Sequence, residues 1–272
     1  MKNNKTRKTA LITGATKGIG YELTKLFAAD SYDLVLVARN KDDLKELQKD
    51  LRKKHNINVT IIAKDLSVPN AALEIFRETI KKQIVIDVLV NNAGIGDFEK
   101  FNNADLSKIS HIMQINIVSL TELTKLFLKG MVYRKEGKIL NVSSMAAFQP
   151  GPYMAVYYAS KAYVQSFSEA IACELKGTGV TVTTLCPGPT KSGFQHEVGS
   201  ESSNLSRLNL LSSSEYAAKY GYRALHEGKR VAIPGFVNTS LVNTVKFIPR
   251  KTTIKIVKRL QELNRKEILH TN

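Results

Sequence analysis

The sequence predicts an α/β fold in which helices cover both faces of a parallel sheet. Short, β-branched apolar runs alternate with helix-length amphipathic segments along most of the chain, the pattern of consecutive strand–helix–strand units. The runs are apolar at nearly every position, as expected for strands buried on both faces. A chain of 272 residues without an evident interdomain linker suits one large α/β domain.

Seven strands and six helices are predicted in this alternation. The strands are predicted at residues 9–13, 33–38, 58–63, 87–92, 137–142, 180–185 and 231–235. Helical periodicity covers residues 18–30, 40–54, 69–82, 105–135, 155–176 and 213–227. Pro249 is expected to break the chain, and a basic amphipathic helix is predicted from residue 251. The predicted organisation is one α/β domain over residues 1–240 and a basic helical extension over 241–272.

Composition and charge narrow the functional class. A hydrophobic fraction of 43 % with 24 % charged residues is typical of a globular protein, and no uncharged apolar run approaches the length needed to span a bilayer. Of the net charge of +16, residues 1–9 contribute +4 and residues 241–272 contribute +6, which favours basic appendages over a nucleic-acid-binding core. Cys173 and Cys186 form no disulfide framework, and no metal site is expected. We therefore expect a cytoplasmic protein.

A glycine-rich segment, TGATKGIG, follows the first predicted strand. Gly14, Gly18 and Gly20 there permit a tight turn and a close approach of the backbone to a pyrophosphate, which the following helix N-terminus favours electrostatically. An ordinary strand-to-helix turn is the alternative. The position of the segment after the first strand favours a dinucleotide site.

The residues around the second strand predict the phosphate state of that dinucleotide. A site that prefers NAD usually has an acidic residue at the end of this strand. Here the strand ends in Arg39, and Lys17 lies in the glycine segment. These two cations would attract a 2′-phosphate, so NADP(H) is the predicted cofactor. Asp42 and Asp43 come later and are interpreted as charges at a helix N-terminus.

Five motifs in order resemble those of the short-chain dehydrogenase/reductase family. They are TGATKGIG, the NNAG at residues 91–94, Asn116, Ser144, and a Y-x-x-x-K whose tyrosine, Tyr157, lies thirteen residues after Ser144. The resemblance covers residues 7–235. It implies a single Rossmann-type domain with a seven-stranded parallel sheet in the order 3-2-1-4-5-6-7.

Adjacent tyrosines, Tyr157 and Tyr158, precede Lys161. Helix geometry places a tyrosine three or four residues before a lysine on the same face, so spacing leaves both tyrosines possible. The resemblance selects Tyr157 as the general acid and base, with Lys161 lowering its pKa together with the oxidised cofactor. It also implies that Ser144 holds the carbonyl oxygen and that Asn116 steadies a water that passes protons to Lys161. Tyr158 is expected to pack.

The predicted site has a catalytic and a cofactor-binding part. The catalytic residues are Asn116, Ser144, Tyr157 and Lys161. The resemblance places Asp65 at the adenine, residues 92–94 at the adenosine half, and the segment after the sixth strand beside the nicotinamide. The complete predicted cofactor-binding set is Gly14, Thr16, Lys17, Gly18, Ile19, Gly20, Arg39, Asp65, Leu66, Asn92, Ala93, Gly94, Tyr157, Lys161, Pro187, Gly188, Thr190 and Ser192.

The predicted activity is NADP(H)-dependent hydride transfer to or from a small-molecule carbonyl or secondary alcohol. The alternatives are a non-catalytic NADP(H)-binding regulator and a nucleic-acid or membrane-surface binding protein, the latter suggested by the basic ends. A homodimer or homotetramer is expected through helices 105–135 and 155–176, which carry surplus apolar positions: Ile112, Ile115, Leu123 and Leu126. The C-terminal helix is expected to pack on protein; a lid edge and contact with an anionic membrane are the alternatives.

Overall fold

The computed structural model describes residues 7–191 and 212–270. The strands are β1 (Thr9–Thr13), β2 (Asp33–Ala38), β3 (Val59–Ala63), β4 (Val88–Asn91), β5 (Gly137–Val142), β6 (Val180–Leu185), β7 (Thr190–Lys191), β8 (Ser212–Ser213) and β9 (Val231–Ala232). The helices are α1 (Gly18–Ala29), α2 (Lys41–Lys54), α3 (Ala71–Lys81), α4 (Leu106–Met113), α5 (Leu120–Arg134), α6 (Ala155–Glu174), α7 (Ser214–His226), α8 (Phe236–Val245) and α9 (Arg250–His270).

A parallel sheet of seven strands, in the order β3-β2-β1-β4-β5-β6-β9, forms the centre of the molecule. The predicted Rossmann-type order is confirmed. The seventh strand of the sheet is the ninth along the chain, because β7 and β8 form a separate pair within the described residues. In such a sheet the strand order reverses beside the first strand, and ligands bind outside the carboxyl ends of the strands at that point.

Both faces of the sheet are buried, as the nearly continuous apolar runs predict. In β1, Ala10 and Ile12 point into one core layer and Leu11 into the other. The first layer is closed by α1, α2 and α7, and the second by α3 and α5. Each fully buried Leu, Ile or Phe side chain contributes roughly 1.5–3 kcal/mol of transfer free energy. The two layers hold the strand ends, and therefore the site, in place.

Three elements differ from the sequence-based expectation. The helix predicted over residues 105–135 is interrupted by a π-helical segment, Gln114–Ser119, between α4 and α5. Helix α8 was not predicted at all, and the domain boundary drawn at residue 240 falls inside it. The last strand of the sheet is shorter than predicted, and Pro234 beyond it has no N–H to continue the ladder.

The break predicted at Pro249 is confirmed, because α9 begins at Arg250 and the Pro249 carbonyl accepts hydrogen bonds from the Thr252 and Thr253 N–H groups. No helix within the described ranges is both long and apolar enough to cross a bilayer.

Candidate active site

A cavity of about 600 Å³ lies at the carboxyl ends of the strands. It extends from the β1–α1 turn and the end of β2, past β4 and β5, to the start of α6 and to helices α8 and α9. Most of the predicted site residues line it: Gly14, Thr16, Lys17, Gly18, Ile19, Arg39, Asp65, Leu66, Asn92, Ala93, Gly94, Ser144, Tyr157, Lys161, Pro187, Gly188 and Thr190. Gly20 and Asn116 lie behind the wall, and Ser192 lies outside the described residues.

The glycine turn between β1 and α1 leaves no room for a side chain at Gly14 or at Gly20. Gly14 has φ +64°, and a Cβ there would lie 2.8 Å from Asn92 Nδ2. A Cβ at Gly20 would lie 2.2 Å from the Gly14 carbonyl oxygen. Gly20 therefore allows α1 to approach the turn closely and lies directly behind the cavity wall; its contact with a cofactor stays a prediction.

The end of β4 is fixed to this turn by hydrogen bonds. Asn92 Nδ2 donates to the Thr13 and Gly14 carbonyl oxygens at 2.9 and 3.2 Å. The Thr13 hydroxyl accepts the Asn92 and Ala93 N–H groups, both at 3.0 Å. The motif N-N-A-G thus holds the two neighbouring strand ends together, and the backbone of the turn is fixed where a phosphate would contact it.

Two cations lie at the end of the cavity nearest β2. Lys17 and Arg39 are both exposed and line the cavity. Nearby, burial opposes ionisation of Asp65, but hydrogen bonds from Ser67 and the charge of Arg39 outweigh it, so the pKa of Asp65 lies below its usual value. Asn40 caps α2 by accepting the Asp42 and Asp43 N–H groups. Both aspartates lie in the first turn of α2, as expected.

Ser144 and Tyr157 meet in the middle of the cavity. Ser144 lies two residues after the end of β5 and caps a short 3₁₀ helix, Met145–Phe148, by accepting the Ala146 N–H at 3.1 Å. Burial raises the pKa of Tyr157 above its ordinary value, and its hydrogen bond with Ser144 partly offsets this effect. In the protein alone, therefore, the lowered tyrosine pKa expected from Lys161 is absent.

The position of Lys161 explains this difference. Its ammonium donates to the Val142 carbonyl oxygen at 3.0 Å and lies 5.7 Å from the centre of the Tyr157 ring. Burial lowers the pKa of Lys161 itself to about 8. Ser143, the residue before Ser144, donates its hydroxyl to the Lys161 carbonyl at 2.8 Å and thereby holds α6 against the end of β5.

Asn116 lies in the π-helical segment and is 1 % exposed. Its side-chain oxygen accepts the Ile95 N–H at 3.0 Å, and its nitrogen donates to the Ile95 carbonyl and to Ser160, each at 2.9 Å. A methyl group at Gly94 would lie 3.1 Å from Lys161 Nζ and 3.3 Å from Asn116 Oδ1. The amide of Asn116 thus fixes the chain beside Gly94, close to the lysine.

The opposite end of the cavity is formed by the C-terminal helices. Asn238 of α8 packs against Gly188, where a Cβ would lie 2.8 Å from Asn238 Nδ2. Val257, Leu260 and Gln261 of α9 also line the cavity. The C-terminal helix is therefore part of the cavity wall, as the alternative interpretation of this helix as a lid edge expects.

Tyr158 also lines the cavity. It packs as expected, since a Cβ at Gly151 would lie 2.3 Å from its ring. Its hydroxyl accepts a hydrogen bond from Gln261 Nε2 at 3.2 Å, and burial raises its pKa. The tyrosine assigned only to packing thus joins α6 to α9 beside Tyr157, whose ring centre is 6.1 Å away.

The residues present fit a dinucleotide cofactor. A glycine turn with no room for a side chain at Gly14 precedes a helix N-terminus, two cations lie at one end of the cavity, and Ser144, Tyr157 and Lys161 lie in the middle. The fixed backbone and the cations match phosphates, and the buried tyrosine and lysine are groups of the kind that can transfer a proton. In the described part of the chain no cluster of three His, Cys, Asp or Glu side chains forms a metal site.

Comparison with known proteins assigns the family. The short chain dehydrogenase family matches residues 8–203 of this chain. A very-long-chain 3-oxoacyl-CoA reductase from Mus musculus is 30 % identical over 254 residues, which cover 91 % of this chain and 78 % of the mouse protein. Its namesake from Rattus norvegicus is 35 % identical over 182 residues, 65 % of this chain and 58 % of the rat protein. The chain belongs to the short-chain dehydrogenase/reductase family and is an oxidoreductase.

A solved structure agrees with the fold and with the kind of cofactor. The short-chain dehydrogenase from Sphingobium yanoikuyae in complex with NADPH superposes with a TM-score of 0.78 at 26 % identity, covering 89 % of this chain and 97 % of that one. The family acts on small molecules with a nicotinamide cofactor. The match spans 58 % of the rat reductase, so the activity of that whole protein is not transferred to this chain.

Proposed function

We propose that this oxidoreductase uses NADP(H) to interconvert a carbonyl and a secondary alcohol, with Tyr157 as the proton donor and acceptor. The observation that carries the proposal is the meeting of Ser144, Tyr157 and Lys161 on one cavity wall, between the glycine turn and the C-terminal helices. A regulator that only binds a nucleotide has no need of a proton donor there.

Each residue has a role that follows from its contacts. The Ser144 hydroxyl, already bonded to Tyr157, holds the substrate oxygen and stabilises the charge that develops on it. Tyr157 is neutral because burial raises its pKa, so it is ready to donate its proton to that oxygen. When bound, reduced nicotinamide supplies the hydride. Lys161 lies 5.7 Å from the centre of the Tyr157 ring, and its charge together with that of the oxidised nicotinamide would stabilise the tyrosinate left behind.

Asn116 is proposed as a positioning residue for proton return. Its side-chain oxygen and Lys161 Nζ flank Gly94. A water bonded there would pass a proton to the lysine, whose pKa of about 8 lets it exchange protons near neutrality.

NADP(H) is favoured over NAD(H) by charge. Lys17 and Arg39 line the end of the cavity where the second strand finishes, and a 2′-phosphate accepts charge-assisted hydrogen bonds from such groups. For the substrate, two observations agree: the cavity has apolar walls from α8 and α9, and the rodent relatives are named as 3-oxoacyl-CoA reductases. A ketone with an acyl chain is the first substrate class to test.

We also propose a cytoplasmic homodimer or homotetramer. The four apolar residues cited for the interface are mainly core residues, since Ile112, Ile115 and Leu123 are at most 6 % exposed and Leu126 packs against the core. Support now comes from other side chains on these helices, Met113, Val118 and Tyr163, which are 37 % to 49 % exposed. Light scattering tests the assembly; a 30.2 kDa particle at micromolar concentration contradicts it.

The experiment that tests the reaction compares two adjacent tyrosines. NADPH oxidation is followed with ketones, quinones, steroids and 3-oxoacyl thioesters for the wild type, Tyr157→Phe and the matched control Tyr158→Phe. We expect Tyr157→Phe to lower kcat by about 100-fold or more while the Kd for NADPH changes little, because only the proton donor is lost. Tyr158→Phe is expected to retain most of its turnover. The reverse result would overturn the assignment of the acid.

A further inference from the structure

Helices α8 and α9 and the turn between them present a large apolar area to solvent. Phe236 and Phe247 are 87 % and 88 % exposed. Four further apolar side chains in this region are exposed by 49 % to 59 %: Val237, Leu241, Ile256 and Leu260. We call residues 236–261 the C-terminal surface. Clustered exposed apolar side chains, as opposed to scattered ones, mark an interaction site.

The same surface is strongly cationic. No Asp or Glu occurs between residues 228 and 261. Six basic residues of the C-terminal surface are all exposed: Lys246, Arg250, Lys251, Lys255, Lys258 and Arg259. The surface therefore carries a formal charge of +6. A partner that matches both features of the surface combines negative charge with an apolar region.

The exposed apolar residues are not those that hold the two helices on the protein. Val242 of α8 is 2 % exposed, and Thr253 and Val257 of α9 are 5 % and 7 % exposed. These side chains, with the Gln261–Tyr158 hydrogen bond, attach the helices to the domain. The face of α9 that packs on the protein is therefore not the face that carries its exposed apolar side chains. Packing on protein and contact with a membrane are thus compatible roles for this helix.

The C-terminal surface continues into the cavity. Val237, Leu241 and Leu260 line the cavity although each is more than half exposed. The apolar surface therefore surrounds one mouth of the active-site cavity, and whatever covers this surface also covers that mouth.

We propose that the C-terminal surface adsorbs to an anionic membrane with the cavity mouth facing the lipid. Lipid phosphates neutralise the lysines and arginines, and the acyl boundary accepts the two phenylalanines. A second copy of the chain fits less well, because pairing identical surfaces would oppose +6 with +6. A nucleic acid matches the charge but offers no apolar phase. The inference rests on exposure and charge and is independent of the reaction proposed above.

Vesicle cosedimentation tests the electrostatic half of the proposal. The full chain is expected to bind vesicles with about 30 % phosphatidylglycerol and to dissociate as salt is raised, with little binding to pure phosphatidylcholine. Lys251→Gln/Lys255→Gln/Arg259→Gln should bind about 100-fold more weakly. The matched control, Lys49→Gln/Lys53→Gln/Lys54→Gln, removes the same charge from exposed positions of α2 and should bind like the wild type. Equal losses of vesicle binding in the two variants would mean that only the net charge of the protein matters, and this result would overturn the proposal.

A second pair of variants tests the apolar half. Phe236→Ser/Phe247→Ser should weaken vesicle binding by tenfold or more, in the order of magnitude expected for losing two phenyl anchors. Phe101→Ser/Tyr133→Ser, which removes two side chains that are 67 % and 89 % exposed elsewhere, should not. In a Cys173→Ser background, a polarity-sensitive dye at Phe247→Cys should shift to the blue on anionic vesicles, and one at Tyr133→Cys should not. Absence of this shift, or tighter binding to an oligonucleotide than to vesicles, refutes the proposal.

Discussion

The two ends of the cavity are built in different ways. At the nucleotide end the wall is built on strand ends and a glycine turn: Asn92 Nδ2 donates to the carbonyl oxygens of the turn, and the Thr13 hydroxyl accepts the Ala93 N–H. At the C-terminal end the wall consists of side chains on helices, such as Leu241, Leu260 and Gln261. The nucleotide end suits a part of the ligand whose geometry is fixed, and the C-terminal end suits a part whose structure can vary.

We therefore expect the nucleotide end to recognise the cofactor and the C-terminal end to recognise the substrate. Changes at the nucleotide end should alter cofactor affinity and leave the substrate KM unchanged, and changes at the C-terminal end should do the opposite. The proposed catalytic residues Ser144, Tyr157 and Lys161 lie between them, so both halves would position their ligands against the same proposed proton donor. Substitutions at three places, Arg39, Lys161 and the Gln261–Tyr158 pair, probe the two ends and the residues between them.

Arg39→Asp should have the largest effect of the three. Loss of a cation that bonds a 2′-phosphate, and its replacement by a carboxylate, should weaken NADPH by about 1–3 kcal/mol, or roughly 5- to 150-fold, and improve NADH relative to it. The substrate KM at saturating cofactor should stay the same. Isothermal titration of both cofactors and steady-state kinetics measure the two effects.

Lys41→Asp is the matched control for this substitution. It makes the same charge change two residues later, at the first residue of α2, and Lys41 does not line the cavity. Its cofactor preference should remain that of the wild type. A wild-type protein that binds NAD(H) as tightly as NADP(H) would contradict the role given to Arg39.

Lys161 should make stability depend on pH. Burial lowers its pKa from 10.5 to about 8, so between these values the folded protein has released a proton that the unfolded chain still holds. Stability therefore rises with pH across this window. Compared with Lys161→Met, the wild type should gain about 1.5 kcal/mol in free energy of unfolding between about pH 8 and pH 9.5.

Denaturant unfolding at several pH values measures this difference. Lys49→Met serves as the control, because Lys49 is exposed in the folded chain and its environment changes little on unfolding. A difference between the wild type and Lys161→Met that stays constant with pH would mean that Lys161 is more hydrated than its position indicates.

The nucleotide end was also the part that could be predicted from the sequence. The strand order is confirmed, and Gly14, Lys17 and Arg39 line the cavity as expected. Such features are local: a glycine turn, a strand end and a helix start are adjacent in the sequence. Gly20 is the exception, since its contact with the Gly14 carbonyl is visible only when the turn and helix are in place.

The C-terminal end could not be predicted in the same way. Helix α8 has the sequence FVNTSLVNTV, in which Val, Asn and Thr have low helix propensity. It forms because tertiary contacts override propensity: Val242 is buried and Asn238 donates to the Pro234 carbonyl at 2.7 Å. The pairing of Tyr158 with Gln261 joins residues 103 positions apart, and no local pattern indicates it.

The smallest expected effect concerns that pair. The 3.2 Å hydrogen bond from Gln261 to the Tyr158 hydroxyl holds α9 against α6 at the C-terminal end. A neutral hydrogen bond contributes about 1 kcal/mol, so Gln261→Leu and Tyr158→Phe should each change the substrate KM by about fivefold and leave the Kd for NADPH unchanged. If the bond is what both substitutions remove, the double variant should be no worse than either single one. Additive losses would mean that the two side chains act separately. A parallel loss of NADPH affinity would show that the two ends of the cavity are coupled, and the comparison drawn above would fail.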